Sequence, residues 1–191
     1  AIAALAAQQQ GDDPLLLVMA SDHVIQDRTH FEQAVTQAET LAKKGLLVTF
    51  GIEPDSPQTG YGYICAGESI GLGASRVEHF VEKPDSDLAE EYLRSGCYLW
   101  NSGIFLFRAS VFLDELCQHN PQMLEICKQV MVSSHGTRGV LSLDEATFAQ
   151  CPDEAVDTAV MEKTEKAVVC PLSAGWADVG TWGGLWDISE K

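Results

Sequence analysis

The sequence predicts an α/β sandwich. Residues 15–20 form an unbroken apolar run of strand length, the pattern of a strand covered on both faces as in a parallel sheet. A loop and a helical-period segment follow. Residues 46–52 are then a second strand-length run, rich in β-formers. Strand, loop, helix and strand fit within about forty residues, as a βαβ unit does. Strand-like and helix-like stretches keep alternating to the end of the chain.

Taken in order, residues 1–9 suit a helix by alanine content. The apolar run 15–20 ends in Ser21-Asp22-His23. Thr29 and Glu32 stand three apart as a capping box. The helix after them puts Phe31, Val35, Ala38, Leu41 and Ala42 on one face, and Gly45 stops it. Residues 54–60 are a turn-rich loop. Residues 61–66 and 76–81 read as strands, the second ended by Glu82-Lys83-Pro84. Residues 88–94 are a helix with Gly96 beyond it. Residues 98–100 and 103–107 are strand-like, interrupted at Asn101-Ser102. Residues 111–117 and 123–132 are amphipathic helices, and 143–149 a candidate third. Residues 167–171 are a late strand, and 176–186 are rich in glycine and aromatics. Some of the middle strands are expected to be antiparallel. Residues 1–191 read as one domain, with no repeat, linker or low-complexity tract.

Composition narrows the function. The formal net charge of −16 excludes a nucleic-acid partner, which needs a basic face. No apolar run is long enough to span a bilayer, so no membrane partner is expected. Residues 1–7 lack the basic flank and cleavage site of a signal peptide. The six cysteines are scattered without a Cys-x-x-Cys pair, which argues against zinc and for free thiols in a reducing cytoplasm. An anionic substrate of so acidic a chain would need local attraction from a divalent cation and a lysine or two. Residue 1 lies inside a helical pattern without a cap, and residues 188–191 still read as helix, so a fragment is expected.

Several residues could carry chemistry. In open α/β sheets ligands bind outside the carboxyl ends of strands, where Asp22 stands. There it could hold Mg²⁺ and a phosphate, or cap a helix. Asp178 sits between glycines and tryptophans, either as a second metal ligand or in an Asx turn packed by Trp176 and Trp182. Glu82 and Lys83 could take sugar hydroxyls and a phosphate if the chain bends between them, or be a solvated surface pair. Asn101 interrupts an apolar segment and could bind a sugar hydroxyl or close a backbone turn. Gly60 and Gly62 could admit a ligand to the backbone or form a bend. His23 reads as structural support. Asp85-Ser86-Asp87 precedes a helix and reads as its cap. No phosphate-binding glycine loop, dinucleotide fingerprint or nucleophile elbow is present.

The order of the motifs is more specific than any of them. Ser21-Asp22-His23, Thr59-Gly60-Tyr61-Gly62, Phe80-Val81-Glu82-Lys83-Pro84 and Trp100-Asn101-Ser102-Gly103-Ile104-Phe105 come first. Val156-Asp157-Thr158-Ala159-Val160-Met161-Glu162-Lys163 and Gly175-Trp176-Ala177-Asp178-Val179-Gly180-Thr181-Trp182 follow. The series resembles the bacterial mannose-1-phosphate guanylyltransferases, in particular the long bifunctional type that also carries a phosphomannose isomerase domain. The resemblance implies a Rossmann-like three-layer sandwich of the nucleotide-diphospho-sugar transferase type, with a mixed, mostly parallel sheet and its N-terminal strands missing. The chain would be the C-terminal two-thirds of a nucleotidyltransferase domain. The implied reaction makes GDP-mannose and pyrophosphate from GTP and α-D-mannose 1-phosphate. The implied metal is Mg²⁺ on Asp22 and Asp178. Glu82 and Asn101 would bind mannose hydroxyls, Lys83 the sugar phosphate, the Gly62 backbone the sugar, and Lys163 a further phosphate. A homo-oligomer is left open.

The family's Gly-Gly-x-Gly-x-Arg loop is absent from these residues, so the fragment alone is expected to be nearly inactive. The rival readings are a nucleotidyltransferase for another hexose phosphate and a non-catalytic nucleotide-sugar-binding subunit.

Overall fold

The computed structural model describes residues 1–137, 140–180 and 186. The elements are α1 (Ile2–Gln8), β1 (Leu15–Val18), β2 (His23–Ile25), α2 (Arg28–Lys43), β3 (Leu47–Ile52), β4 (Tyr63–Gly71), β5 (Ala74–Val81), α3 (Ser86–Ser95) and β6 (Tyr98–Arg108). They continue with α4 (Ala109–His119), α5 (Pro121–Ser133), β7 (His135–Thr137), β8 (Val140–Ser142), α6 (Glu145–Phe148), a π-helical turn (Asp157–Met161), β9 (Ala167–Pro171) and β10 (Trp176–Asp178). Most expected elements are present. The sequence reading missed the three-residue strands β2, β7, β8 and β10, and the π turn.

The central sheet has the order β1-β6-β3-β9-β5-β4. Strands β1, β3, β4 and β9 run one way and β5 and β6 the other, so the directions are mostly parallel. Hydrogen-bonded neighbours are nevertheless antiparallel except for β3 and β9. The βαβ unit therefore has β6 inserted between its two strands, β1 and β3.

β6 is the spine of the sheet. Its C-terminal half lies between β1 and β3, with Phe107 opposite Leu16 and Leu106 opposite Val48. In its N-terminal half Trp100 faces Ile52 on one side and Tyr63 on the other. Between the halves the register jumps, because Thr49 faces Phe105 whereas Gly51 faces Asn101. Two steps along β3 thus answer four along β6. Gly103 takes the left-handed φ of 67° that lets the strand bulge there. This bulge is what the sequence shows as an interruption at Asn101-Ser102.

Side chains alternate across the sheet into two cores. Leu47, Phe105, Phe107 and Ala167 pack with α4, α5 and the π turn on one face. Val48, Phe50, Ile104, Leu106, Val168 and Cys170 pack against Ala38, Leu41 and Ala42 of α2 on the other. That is a three-layer arrangement. A smaller cluster of Tyr63, Ala89, Tyr92 and Trp100 seats α3.

Two local expectations differ. Helix α2 is capped by Asp27 rather than by the Thr29–Glu32 box. The Asp27 carboxylate accepts the His30 N–H at 3.0 Å and meets the His30 ring at 2.6 Å, and the helix starts at Arg28. The two contacts outweigh the one that a threonine hydroxyl would make. Strand β1 is not buried on both faces. Leu17, Val18 and Met19 are 40%, 38% and 41% exposed, and β6 is the single strand partner of β1 among the described residues. Its other edge is unpaired among the described residues. Asp85 does cap α3, accepting the Leu88 N–H at 2.9 Å.

Candidate active site

The first half of the site is built by β2 and β10. They pair antiparallel, Asp178 opposite His23, and the Val179 N–H donates to the Asp22 carbonyl at 3.3 Å. Two carboxylates 156 positions apart in the chain are thereby brought together. A methyl placed on Gly180 would lie 3.1 Å from Asp178 Oδ1 and 3.5 Å from Asp22 Oδ2. Glycine keeps that space between the carboxylates free. Asp178 is also in the Asx turn that its position suggested, since Oδ1 accepts the Gly180 N–H at 2.8 Å. Among the described residues its other oxygen has no such tie.

The second half lies across a cleft of about 250 Å³, lined among others by Gly62, Glu82, Lys83, Asn101, Asp157 and Asp178. Gly62 forms its floor. Its carbonyl accepts the Asn101 N–H at 2.7 Å, and a Cβ there would lie 2.5 Å from Glu82 Oε2. Lys83 has φ +48°, a conformation that costs a non-glycine residue free energy and that clusters at functional sites. This bend brings Glu82 and Lys83, which an extended chain would send to opposite sides, to the same cleft. Lys83 Nζ stays 3.5 Å from Glu82 Oε1.

Aromatic rings close the cleft's side. Trp176 Nε1 donates to His23 Nδ1 at 3.2 Å, which leaves the imidazole proton on Nε2. Edge-to-face contacts join Trp176 to His23 at 5.2 Å, Trp176 to Tyr61 at 5.5 Å and Tyr61 to Trp100 at 5.2 Å. Trp182, the other tryptophan expected here, lies outside the described residues.

The carboxylates near Gly62 are electrostatically unusual. Burial, then the charge of Asp157, raises the Glu82 carboxyl above its ordinary range, against the pull of Lys83. Burial likewise raises Asp157, against its hydrogen bond from Asn101, and burial and Asp157 together raise Glu162. Two of these perturbed carboxyls, Glu82 and Asp157, line the one cleft, which marks it as a candidate site.

Of the residues nominated from sequence, Gly62, Glu82, Lys83, Asn101 and Asp178 line one cleft, and Asp22 stands beside Asp178. Lys163 is not among the lining residues and instead approaches Glu154 at 3.9 Å. Asp157 was missed as a site residue although its motif was noted, because no periodic pattern signals a π turn. A larger cavity of about 600 Å³ shares the Trp176 wall. Glu53 is its single charged lining residue among the described residues, so the chemistry converges on the smaller cleft.

The arrangement suits a bound divalent cation. Mg²⁺ takes one or two protein carboxylates and completes its shell with water and substrate phosphate, so the Asp22–Asp178 pair fits it. No cluster of three or more His, Cys, Asp or Glu gathers as a metal site among the described residues. Nor is any helix among them long and apolar enough to cross a membrane.

The chain is 52% identical over 193 residues to a mannose-1-phosphate guanylyltransferase of Salmonella typhimurium, covering all of this chain and 40% of that protein. It is 53% identical over 191 residues to a xanthan biosynthesis protein of Xanthomonas campestris, again covering 40% of it. The chain thus spans about two-fifths of the length of these relatives. A crystal structure of mannose-6-phosphate isomerase from Helicobacter pylori superposes with a TM-score of 0.84 at 37% identity, covering 93% of this chain and 70% of that one. The nucleotidyl transferase family model matches residues 1–191, and the chain belongs to that family.

Proposed function

We propose that this chain is part of the nucleotidyltransferase domain of an enzyme that makes GDP-mannose and pyrophosphate from GTP and α-D-mannose 1-phosphate, for polysaccharide synthesis. The observation that carries the reading is the single cleft joining a glycine-floored, carboxylate-lined sugar end to the paired carboxylates Asp22 and Asp178. The relatives named for mannose-1-phosphate guanylyl transfer and xanthan synthesis support the choice of substrate and pathway.

In this reaction a phosphate oxygen of the sugar attacks the α-phosphorus of GTP. A new P–O bond forms as the bond from the α-phosphorus to the α,β-bridging oxygen breaks, and that oxygen leaves with pyrophosphate. Little covalent work falls to the protein, which must position the groups and offset charge. Glu82 would accept a sugar hydroxyl while the Gly62 backbone lets the ring approach. Lys83, held toward the cleft by its left-handed φ, would meet the sugar phosphate. Mg²⁺, when held by Asp22 and Asp178, would supply neutralisation of the phosphate charge. The tryptophan, tyrosine and histidine wall would keep the ring in place and exclude water. Lys163 would serve as a phosphate contact only if it left Glu154.

The apolar edge of β1, unpaired among the described residues, supports a larger parent domain whose further strands pair there. A GTP-using enzyme with free thiols belongs in the cytoplasm. The test is pyrophosphate release by the full-length parent, with GTP, UTP and dTTP compared. Preference for UTP or dTTP would overturn the guanylyl assignment, and full turnover by the 191 residues alone would overturn the partial-domain reading.

A further inference from the structure

The cysteines are free thiols, and two of them meet away from the cleft. Cys127 in α5 and Cys151 just after α6 place their sulfurs 4.0 Å apart. Both line one cavity of about 530 Å³, together with Met123, Phe148 and Pro152. A disulfide has its sulfurs about 2 Å apart, so the pair must close by about 2 Å. Cys127 is fixed in the core by its helix, at 3% exposure, whereas Cys151 is half-buried in the chain that leaves α6. The movement therefore falls on Cys151.

The two thiols divide the chemistry between them. Burial, then the charge of Cys151, raises the Cys127 thiol to about 11, which makes it the poorer nucleophile at neutral pH. Cys151, the less buried of the two, is the one that an oxidant reaches first. Its thiolate attacks one sulfur of a small-molecule disulfide, whose S–S bond breaks to release one thiol. Cys127 then gives up its proton and attacks the Cys151 sulfur, and the mixed disulfide breaks to release the second thiol. Two electrons pass from the cysteine pair to the oxidant, and both protons end on the released thiols.

The new bond would act on the chain that follows. Residues 152–155 have no regular structure and lead into the π turn, where the Ala159 N–H donates to the Ala155 carbonyl at 2.9 Å. Asp157 opens that turn, lines the cleft and accepts from Asn101 Nδ2 at 2.7 Å. Glu154 already ties the segment to α5, since its carboxylate accepts from Asn120, the residue that caps the helix, at 3.0 Å. A covalent bond from Cys151 to α5 adds a second anchor, drawn toward the helix by the closing of the sulfurs.

We propose that Cys127 and Cys151 are an oxidation site, a dithiol that a small-molecule disulfide converts to a cross-link between α5 and the segment carrying Asp157. Disulfides of reducing compartments are transient and regulatory. This one would be read at the cleft, as weaker use of the substrate bound there. The kinetic readout rests on the functional reading above, and the chemical readout does not.

The test incubates the full-length parent with glutathione disulfide and maps its peptides without reduction. The peptide carrying Cys127 should be joined to the one carrying Cys151, lighter by two hydrogens, and dithiothreitol should separate them. Cys151→Ser and Cys127→Ala should each abolish the cross-link, whereas Cys117→Ser, at an exposed position of α4, should keep it. Amide hydrogen exchange over residues 152–161 should slow at least about tenfold on oxidation. The kcat/KM for mannose 1-phosphate should fall at least about tenfold, with dithiothreitol restoring it and Cys151→Ser insensitive to the oxidant. Absence of the cross-link would overturn the proposal, as would a cross-linked parent with unchanged kcat/KM or unchanged exchange. If the cross-link forms and slows exchange in a parent that transfers no guanylyl group, the proposal stands and the functional reading falls.

Discussion

Replacing Gly62 by alanine tests the floor of the cleft. The new methyl would lie 2.5 Å from Glu82 Oε2, 3.3 Å from Asn101 Cβ and 3.5 Å from Phe80 Cε1. Glu82 must retreat by about 1 Å to reach ordinary contact. Its carboxylate is the end of a flexible, partly exposed side chain, so the fold should lose less than about 1 kcal/mol. For a domain of this size that is a fall in Tm of at most about 4 °C. A 1 Å displacement of a positioning group costs a reaction about a hundredfold, or about 2.7 kcal/mol of transition-state stabilisation. The full-length parent carrying Gly62→Ala should therefore show a kcat/KM for mannose 1-phosphate about a hundredfold lower, with Tm almost unchanged. Pyrophosphate release and a thermal melt measure the two quantities. Wild-type kinetics from a variant of wild-type stability would show that Glu82 does not position substrate from the observed place.

Further expectations concern other parts of the molecule. Asp22→Asn or Asp178→Asn in the parent should reduce turnover by at least about a thousandfold while the melt stays cooperative, and a near-normal rate would reduce that residue to a loop role. Glu115 is buried and joined to Lys166 Nζ at 2.9 Å, to the Thr164 hydroxyl and to His119 at 3.4 Å. Burial alone would raise its carboxyl, but the Thr164 and Lys166 contacts hold it below the ordinary glutamate range. A depressed folded pKa contributes stability above the unfolded pKa that is lost as the pH falls through the folded one. Glu115→Gln should thus cost about 2 kcal/mol at neutral pH and flatten the acid side of the stability curve, read from urea melts between about pH 3 and 7. At the open edge of β1, Val18→Lys should reduce self-association of the 191-residue chain in sedimentation, as edge lysines do elsewhere.

The long elements were legible in the sequence because burial imposes their pattern: α2 by its apolar face, β3 by its β-formers and β9 by its apolar run. Asp22 was legible as a candidate because it ends an apolar run of strand length, and Asp178 because it sits between glycines and tryptophans. Their meeting depends on β2 and β10, strands of three residues each, too short to leave a periodic trace. The apolar run of β1 misled for a related reason. Such a run says that a strand prefers burial, but not whether a neighbour supplies it. Asp157 sits in a five-residue π turn without side-chain periodicity, and its engagement with Asn101 spans 56 positions. No local signal could have joined them.

The bulge in β6 has a consequence for how this region tolerates insertion and deletion. Phe105 and Phe107 belong to the core under α4, while Ile104 and Leu106 belong to the core under α2. Losing one residue between Asn101 and Ile104 would either turn this quartet over, exchanging aromatic and aliphatic volume between two close-packed layers, or consume the slack that the bulge holds. The same slack presents the Asn101 amide to Asp157. Chain length in this stretch is therefore fixed twice over, by the cores downstream and by the cleft beside it. Surviving length variation should fall in the β4–β5 hairpin turn at Gly71–Gly73, where a side chain on either glycine would meet no atom within 4 Å.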